Sequence, residues 1–140
     1  MATSKISWRN DMSFNVELNG HNFIIDATDK VGGKDQGPRP KGLLLSALGG
    51  CTGMDVVSIL KKMKVENYRF EINVDANETT EHPKYYDKIT IDYIFEGEDL
   101  PIAKIKKAVD LSETRYCGVS EMLRKAAKLE TIIHVNGEIV

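Results

Sequence analysis

The segment GLLLSALGGCTGMDVVSIL, residues 42–60, is nearly free of charged side chains and holds one of the two cysteines of the chain. The sequence GPRP before it, residues 37–40, cannot be helical because proline fixes the backbone and lacks an N–H donor. Lysines follow the segment, and cations suit the negative C-terminal end of a helix. The pattern therefore predicts one long helix that begins at about Lys41 and ends near Lys61–Lys64.

A segment of this length also has to be tested as a membrane span, which needs about 20 apolar residues. Asp55 and four glycines interrupt the segment, and the rest of the chain is amphipathic. A helix that is apolar on all sides is typical of the core of a soluble domain. We therefore expect a buried helix and no membrane association.

The composition describes an ordinary soluble protein. The 140 residues are the usual size of one domain, so we expect a single domain over residues 1–140. Nineteen basic and twenty-one acidic residues give a net charge of −2, and no basic patch indicates a nucleic-acid partner. The N-terminal sequence lacks the basic and apolar regions of a signal peptide, so we expect a cytoplasmic protein with reduced thiols.

In the rest of the chain, the spacing of apolar residues predicts where strands and helices lie. Alternating apolar residues predict a hairpin around Asn19-Gly20, a preceding strand over Lys5–Arg9, and two longer strands over residues 69–75 and 88–95. Apolar residues at helical spacing follow Pro101 and predict a helix there. A shorter helix is expected over Val119–Lys128, and Thr131–Val135 is expected to be the last long strand. This order predicts an α+β domain.

Three glycines crowd the centre of the predicted long helix. Gly49 and Gly53 share one helix face, and Gly50 lies beside them. Each glycine costs a helix interior about 1 kcal/mol relative to alanine, so the cluster requires a compensating role. Two roles remain open: close approach of another backbone, such as a crossing helix from a second copy of the chain, or a local distortion that exposes Cys51.

The cysteines allow two interpretations. Cys51 and Cys117 are far apart in sequence, there is no Cys-x-x-Cys motif, and the histidines lack ligand spacing, so we expect no metal site and no cofactor. Two separated cysteines in a cytosolic protein can act as a redox pair, in which one thiol becomes a sulfenic acid and the other condenses with it. They can equally be two buried, inert thiols.

Two parts of the chain resemble the OsmC/Ohr family, the osmotically inducible and organic hydroperoxide resistance proteins. The first is GPRPKGLLLSALGGCTGMDVVSILKKMK, residues 37–64, which is similar to the central helix of that family with its small-small-Cys centre. The second is VDLSETRYCGVSEML, residues 109–123, which is similar to its Tyr-Cys segment and the short helix that follows. The likeness extends over about residues 5–136.

The resemblance implies a fold and an assembly. In this family curved antiparallel sheets surround a long central helix, and two chains form an intertwined homodimer with active sites at the subunit interface. A homodimer would supply the crossing helix that the glycines leave room for.

The resemblance also implies an activity, the thiol-dependent reduction of organic hydroperoxides in oxidative-stress defence. Cys51 would be the peroxidatic thiol, Cys117 the resolving thiol that forms an intramolecular disulfide with it, and an external dithiol the reductant. The alternative is a non-catalytic OsmC-like stress protein that binds a small hydrophobic ligand or senses redox state. The apolar surroundings of Cys51 favour an alkyl or aryl hydroperoxide over hydrogen peroxide.

A cation is expected beside Cys51, because a buried thiol otherwise stays protonated. In the family an arginine has this role and is oriented by a glutamate, but this chain has Lys41 where the resemblance places that glutamate. We expect Arg39 to be the activating cation and the third catalytic residue. Arg9 and Lys41 are the other cations considered.

Overall fold

The computed structural model describes residues 1–140 and contains seven strands and three α-helices. The strands are β1 (Ser4–Asn10), β2 (Ser13–Leu18), β3 (His21–Ile25), β4 (Arg69–Glu78), β5 (Tyr86–Glu96), β6 (Lys128–Val135) and β7 (Glu138–Ile139). The helices are α1 (Leu43–Lys62), α2 (Ile102–Leu111) and α3 (Gly118–Arg124). The chain divides into two compact units, residues 1–44 and 45–140. The predicted single domain stays a prediction.

The first unit is built on an antiparallel sheet in the order β1-β2-β3. Its second hairpin turns at Asn19-Gly20, as predicted, with φ angles of 52° and 78°. Positive φ at both central residues matches the right-handed twist of the flanking strands, which is why Asn-Gly is favoured there. The predicted strand over Lys5–Arg9 is confirmed as β1.

The second unit packs α1 against a sheet in the order β4-β5-β6-β7. The alternation in β5 puts Ile89, Ile91, Tyr93 and Phe95 on one face, where each is fully buried. They join a core that includes the buried face of α1, namely Leu48, Val56 and Leu60. The sheet thus fixes which face of α1 is buried.

One strand pair departs from the expected antiparallel sheets. β5 and β6 are parallel, because the chain between them returns through α2, a π-helical turn at Ser112–Tyr116, and α3. α3 ends at Arg124, before the predicted Lys128, and β6 begins at Lys128, before the predicted Thr131. The earlier start follows from pairing, since Lys128–Glu130 lies opposite residues 88–90 of β5.

The glycines of α1 are accounted for by close packing against β4. A Cβ atom on Gly49 would lie 3.2 Å from Cγ2 of Val74, and one on Gly53 would lie 3.0 Å from Cδ1 of Ile72. A Cβ on Gly50 would meet nothing within 4 Å. Close approach is therefore the operative role, but the neighbour within this chain is a strand and not the crossing helix that was expected.

The side of α1 that faces away from the core residues Leu48, Val56 and Leu60 is open. The helix is long and apolar enough to cross a membrane by length and composition, and 22% of its most apolar window is buried. Met54 is 77% exposed and Val57 is 46% exposed. An open groove of about 840 Å³ runs between this side of α1 and β4, and Gly50 lines it. The α+β fold is confirmed, and the homodimer stays a prediction.

Candidate active site

The fold brings the two cysteines together. Cys51 lies in the middle of α1, and Cys117 lies where the π-helical turn ends and α3 begins. The sulfur atoms of both cysteines and a carboxylate oxygen of Asp55 all lie within 4.8 Å of one another. Both thiols are free. Two predicted site residues are thus neighbours, and Asp55 is a third group that the sequence prediction did not include.

Cys117 is the more enclosed thiol. Its side chain is 3% exposed, and its sulfur accepts a hydrogen bond of 3.3 Å from the backbone N–H of Ser120. This contact caps the first turn of α3, so the position of the sulfur is fixed by the helix that follows it. Cys51 is half-buried and is the thiol with more access to solvent.

The surroundings of Cys51 favour the neutral thiol. Burial raises the pKa of Cys51, and the hydrogen bond and charge of Cys117 raise it further. The backbone N–H of Val119 lowers this pKa, while the charge of Asp55 raises it. Because the upward influences outweigh the downward one, Cys51 needs a cation or a proton acceptor to become a nucleophile at neutral pH.

Arg39, the predicted activating cation, lies in the first unit between β3 and α1. Its guanidinium pairs with the carboxylate of Asp35 and donates to the backbone carbonyls of Asp26 at 3.1 Å and Gly37 at 2.8 Å. These contacts hold the GPRP segment to the loop that follows β3. The predicted contact of Arg39 with Cys51 stays a prediction.

A buried chain of hydroxyl groups starts at Asp55. Oγ of Ser112 lies 3.0 Å from Oδ2 of Asp55 and 2.8 Å from Oγ1 of Thr52. Oγ1 of Thr52 lies 2.8 Å from the hydroxyl of Tyr93, and that hydroxyl lies 2.7 Å from Oε1 of Glu113. Thr52, Ser112 and Tyr93 are fully buried. The sequence prediction assigned Tyr93 to the apolar face of a strand and missed this chain.

The three donor atoms at the centre are also of types that bind a metal ion. Two thiolates and a carboxylate suit Zn²⁺, with a fourth position open. Zinc-bound sulfurs lie about 3.8 Å apart, given Zn–S bonds of about 2.3 Å, and the 4.8 Å limit on this cluster is compatible with that separation. The expected absence of a metal stays a prediction.

A pocket of about 350 Å³ leads to Asp55. The walls are mostly apolar and belong to the second half of α1, the residue after it, the end of α2 and the π-helical turn: Ser58, Ile59, Lys62, Met63, Leu111 and Tyr116. The pocket is large enough for a small organic molecule and ends at a carboxylate beside the thiols.

Comparison with known proteins finds similar sequences. A family model described as OsmC-like protein matches residues 33–132, which include Cys51 and Cys117. Protein YhfA from Escherichia coli strain K12 is 33% identical over 127 residues, covering 90% of this chain and 92% of that protein.

Solved structures share the fold over almost the whole chain. A hypothetical protein from Aquifex aeolicus VF5 is 27% identical, with a TM-score of 0.85 and coverage of 99% of this chain and 98% of that one. An organic hydroperoxide resistance protein from Legionella pneumophila is 12% identical, with a TM-score of 0.69 and coverage of 96% and 97%, and shows the fold alone. From the family match and the identity to YhfA, this chain belongs to the OsmC-like protein family.

Proposed function

We propose that this chain is a thiol-dependent peroxidase that reduces organic hydroperoxides to alcohols in defence against oxidative stress. The observation that supports it most is the approach of Cys51 and Cys117, whose sulfurs lie within 4.8 Å although they come from separate helices. The OsmC-like family and its solved neighbours indicate a redox or peroxide-stress role. The S–S bond of a disulfide is about 2.0 Å long, so an intramolecular disulfide requires the two sulfurs to move closer together.

The reaction has two chemical steps on the protein. The Cys51 thiolate attacks the terminal oxygen of ROOH, the O–O bond breaks, and an S–O bond forms, giving Cys51–SOH and an alkoxide that takes up a proton to become ROH. The Cys117 thiolate then attacks the sulfenic sulfur, the S–S bond forms as the S–O bond breaks, and the hydroxide that leaves takes up a proton to become water. An external dithiol reduces this disulfide by thiol exchange and restores both thiols.

The roles of the two cysteines follow from their exposure. Cys51 is half-buried and lies one helical turn from Asp55, which lines the pocket, whereas neither cysteine lines it. Because Cys51 is the more exposed thiol, we assign the attack on the substrate to it. Cys117 is 3% exposed and suits the second step, in which no substrate has to approach. The apolar walls of the pocket favour an organic hydroperoxide over hydrogen peroxide.

Arg39 is the activating cation of this proposal. Its guanidinium is permanently charged, and the resemblance to the family calls for an arginine in this role. We expect Arg39→Gln to slow alkylation of Cys51 by iodoacetamide at neutral pH at least tenfold. Arg9→Gln, at the other arginine considered, is the matched control; slowing by Arg9→Gln alone would reassign the role.

The proposal includes a homodimer in the cytoplasm. The groove beside α1 is lined by apolar side chains and glycines, and a second copy of the chain would remove this surface from water. A helix with so little of its apolar window buried requires a cover. The dimer and the position of its contacts are tested by the last prediction of the Discussion.

One observation favours a second function, a redox sensor or a protein that binds a small hydrophobic ligand without turnover. The pKa of Cys51 is raised, and no cation is among the groups that shift it within this chain. A thiol of this kind reacts slowly with peroxide. In that case the pocket would hold a ligand, and the cysteines would be oxidised once and not cycle.

The deciding experiment follows the loss of cumene hydroperoxide in the presence of a dithiol, for the wild type, Cys51→Ser and Cys117→Ser. We expect turnover by the wild type, none by Cys51→Ser, and a Cys51 sulfenic acid that persists in Cys117→Ser. Mass spectrometry of the oxidised wild type should show the loss of two hydrogen atoms and a Cys51–Cys117 peptide pair. Equal peroxide loss by wild type and Cys51→Ser would overturn the proposal, and a single non-cycling oxidation would favour the sensor.

A further inference from the structure

The buried chain of side chains from Asp55 to Glu113 has more contacts than hydroxyl protons. Its four oxygen–oxygen contacts, between 2.7 and 3.0 Å, join Asp55, Ser112, Thr52, Tyr93 and Glu113 in that order. The three hydroxyl groups contribute one proton each. The fourth contact therefore needs a proton from one of the two terminal carboxyl groups. The backbone carbonyl of Thr52, 3.5 Å from Ser112 Oγ, has no proton to contribute.

The hydrogen-bonded chain of side chains can transfer that proton while its heavy atoms stay in place. With the proton on Glu113, each hydroxyl donates toward Asp55; with the proton on Asp55, each donates toward Glu113. Reversal of the hydrogen bonds thus transfers a proton from one end to the other. The path is shielded from water, since Ser112, Thr52 and Tyr93 have no exposed surface.

The two ends of the chain lie in different surroundings. Asp55 is within 4.8 Å of both sulfurs and lines the pocket. Glu113 is half-buried, and its two carboxyl oxygens lie 2.7 and 2.6 Å from Oγ1 of the exposed Thr131. The backbone carbonyl of Glu113 accepts a hydrogen bond from Arg124 at 2.9 Å. Asp55 faces the reaction, and Glu113 faces the surface.

The proposed peroxidase reaction creates a need for such a path. An alkoxide is strongly basic, and it leaves into a site where burial and Cys117 already oppose negative charge on Cys51. A proton donor positioned at the leaving oxygen typically accelerates such a step by about 10²–10⁴-fold. Asp55 is the acidic group beside the thiols that the pocket reaches.

We propose that the Asp55–Ser112–Thr52–Tyr93–Glu113 chain is a proton relay, in which Asp55 donates a proton to the alkoxide that leaves Cys51 and Glu113 replaces it from the surface. This inference rests on the proposed function. The proton moves from the Asp55 carboxyl to RO⁻ to give ROH, and an equal proton moves from Glu113 along the chain to Asp55. Asp55 is the group that meets substrate; Ser112, Thr52 and Tyr93 are positioning residues.

The test uses two substrates with different needs. The leaving group of cumene hydroperoxide is a basic alkoxide, whereas that of a peracid is a carboxylate, which needs no proton. We expect Tyr93→Phe to slow formation of the Cys51 sulfenic acid by cumene hydroperoxide at least tenfold and to leave the peracid rate within about threefold of wild type. Tyr68→Phe is the control, at a half-buried tyrosine outside the hydrogen-bonded chain, and should change neither rate.

A structural role for the chain predicts a different result. Loss of packing around Cys51 would slow both substrates equally, and that outcome would overturn the relay. Thr52→Val, which keeps the shape of the side chain and breaks the path at its centre, repeats the test where Tyr93→Phe folds poorly. The slow step of both variants should also lose the wild-type solvent deuterium isotope effect with cumene hydroperoxide.

Infrared spectroscopy tests the proton itself, without any turnover. A protonated carboxyl group has a carbonyl stretch distinct from that of a carboxylate, and we expect such a band in the wild type that shifts in D₂O and is lost in Asp55→Asn. Absence of the band would overturn the relay even if the peroxidase activity were present. Failure of the proposed function would appear separately, as a lack of Cys51 oxidation by both substrates.

Discussion

A Cβ atom on Gly53 would lie 3.0 Å from Cδ1 of Ile72, so α1 and β4 pack more closely here than a side chain on Gly53 allows. The contact lies two residues after Cys51, in the part of α1 that presents the thiol. Close packing to β4 thus fixes the helix at the point where the chemistry is proposed.

The first prediction concerns this contact. Gly53→Val should lower the free energy of unfolding by about 1–3 kcal/mol, because the added methyl groups overpack against Ile72. Gly118→Val is the control, since a Cβ there meets nothing within 4 Å, and it should change stability by less than about 0.5 kcal/mol. Urea unfolding measures both. In an Ile72→Ala background the cost of Gly53→Val should shrink, and additive effects would contradict direct contact.

Much of the fold was predictable because its signals are local. The Asn19-Gly20 turn, the alternation in β5 and the apolar run of α1 each depend on a few neighbouring residues. The parallel pairing of β5 and β6 was not, because it depends on the path of the crossover between them. The alternation of residues within a strand carries no information about that path.

The candidate site was predictable only in part. The pairing of Cys51 with Cys117 came from resemblance to a family, not from spacing. The proton chain was missed because Tyr93 fits the apolar alternation of β5, and the partners of its hydroxyl come from distant segments. One local signal was available: Asp55 lies four residues after Cys51 and so on the same helix face.

The second prediction concerns the titration of Cys51. In Arg39→Gln, which lacks the proposed cation, burial and the neighbouring Cys117 raise the pKa of Cys51 above its ordinary value of 9.0, so alkylation by iodoacetamide should be slow at pH 7 and rise steeply above pH 9. Cys117→Ala should move this profile to lower pH, since it removes the second cause of the shift. Burial, the largest cause, remains, so the variant should still titrate above the unfolded chain.

The free energy of unfolding should depend on pH for the same reason. A raised pKa means that the folded chain holds the thiol proton more tightly than the unfolded chain, so the free energy of unfolding should fall as the pH rises from 9.0. Cys51→Ser should abolish this part of the alkaline loss. In Arg39→Gln, an alkylation profile of Cys51 centred below pH 9 would show that another cation lowers the pKa of this thiol.

The third prediction concerns acid stability. Hydrogen bonds from Lys128 and Lys88, which face each other across β5 and β6, lower the pKa of Glu130 from 4.5 to about 2. A depressed pKa contributes stability that is present above pH 4.5 and lost as the pH falls toward 2. Glu130→Gln should remove this pH dependence, and added salt should weaken it because the groups are exposed. Urea titrations at several pH values measure the effect; unchanged acid sensitivity in Glu130→Gln would contradict it.

The last prediction tests the homodimer. Met54 is 77% exposed beside the groove, and Met122 on α3 is 64% exposed and does not line it. If a second copy covers the groove, Met54→Glu buries a charge at the interface and should raise the dimer dissociation constant at least tenfold, about 1.4 kcal/mol. Met122→Glu should leave it unchanged. Light scattering after gel filtration measures the mass. The homodimer prediction would be contradicted if the wild type were monomeric at micromolar concentration, or if both variants had equal effects.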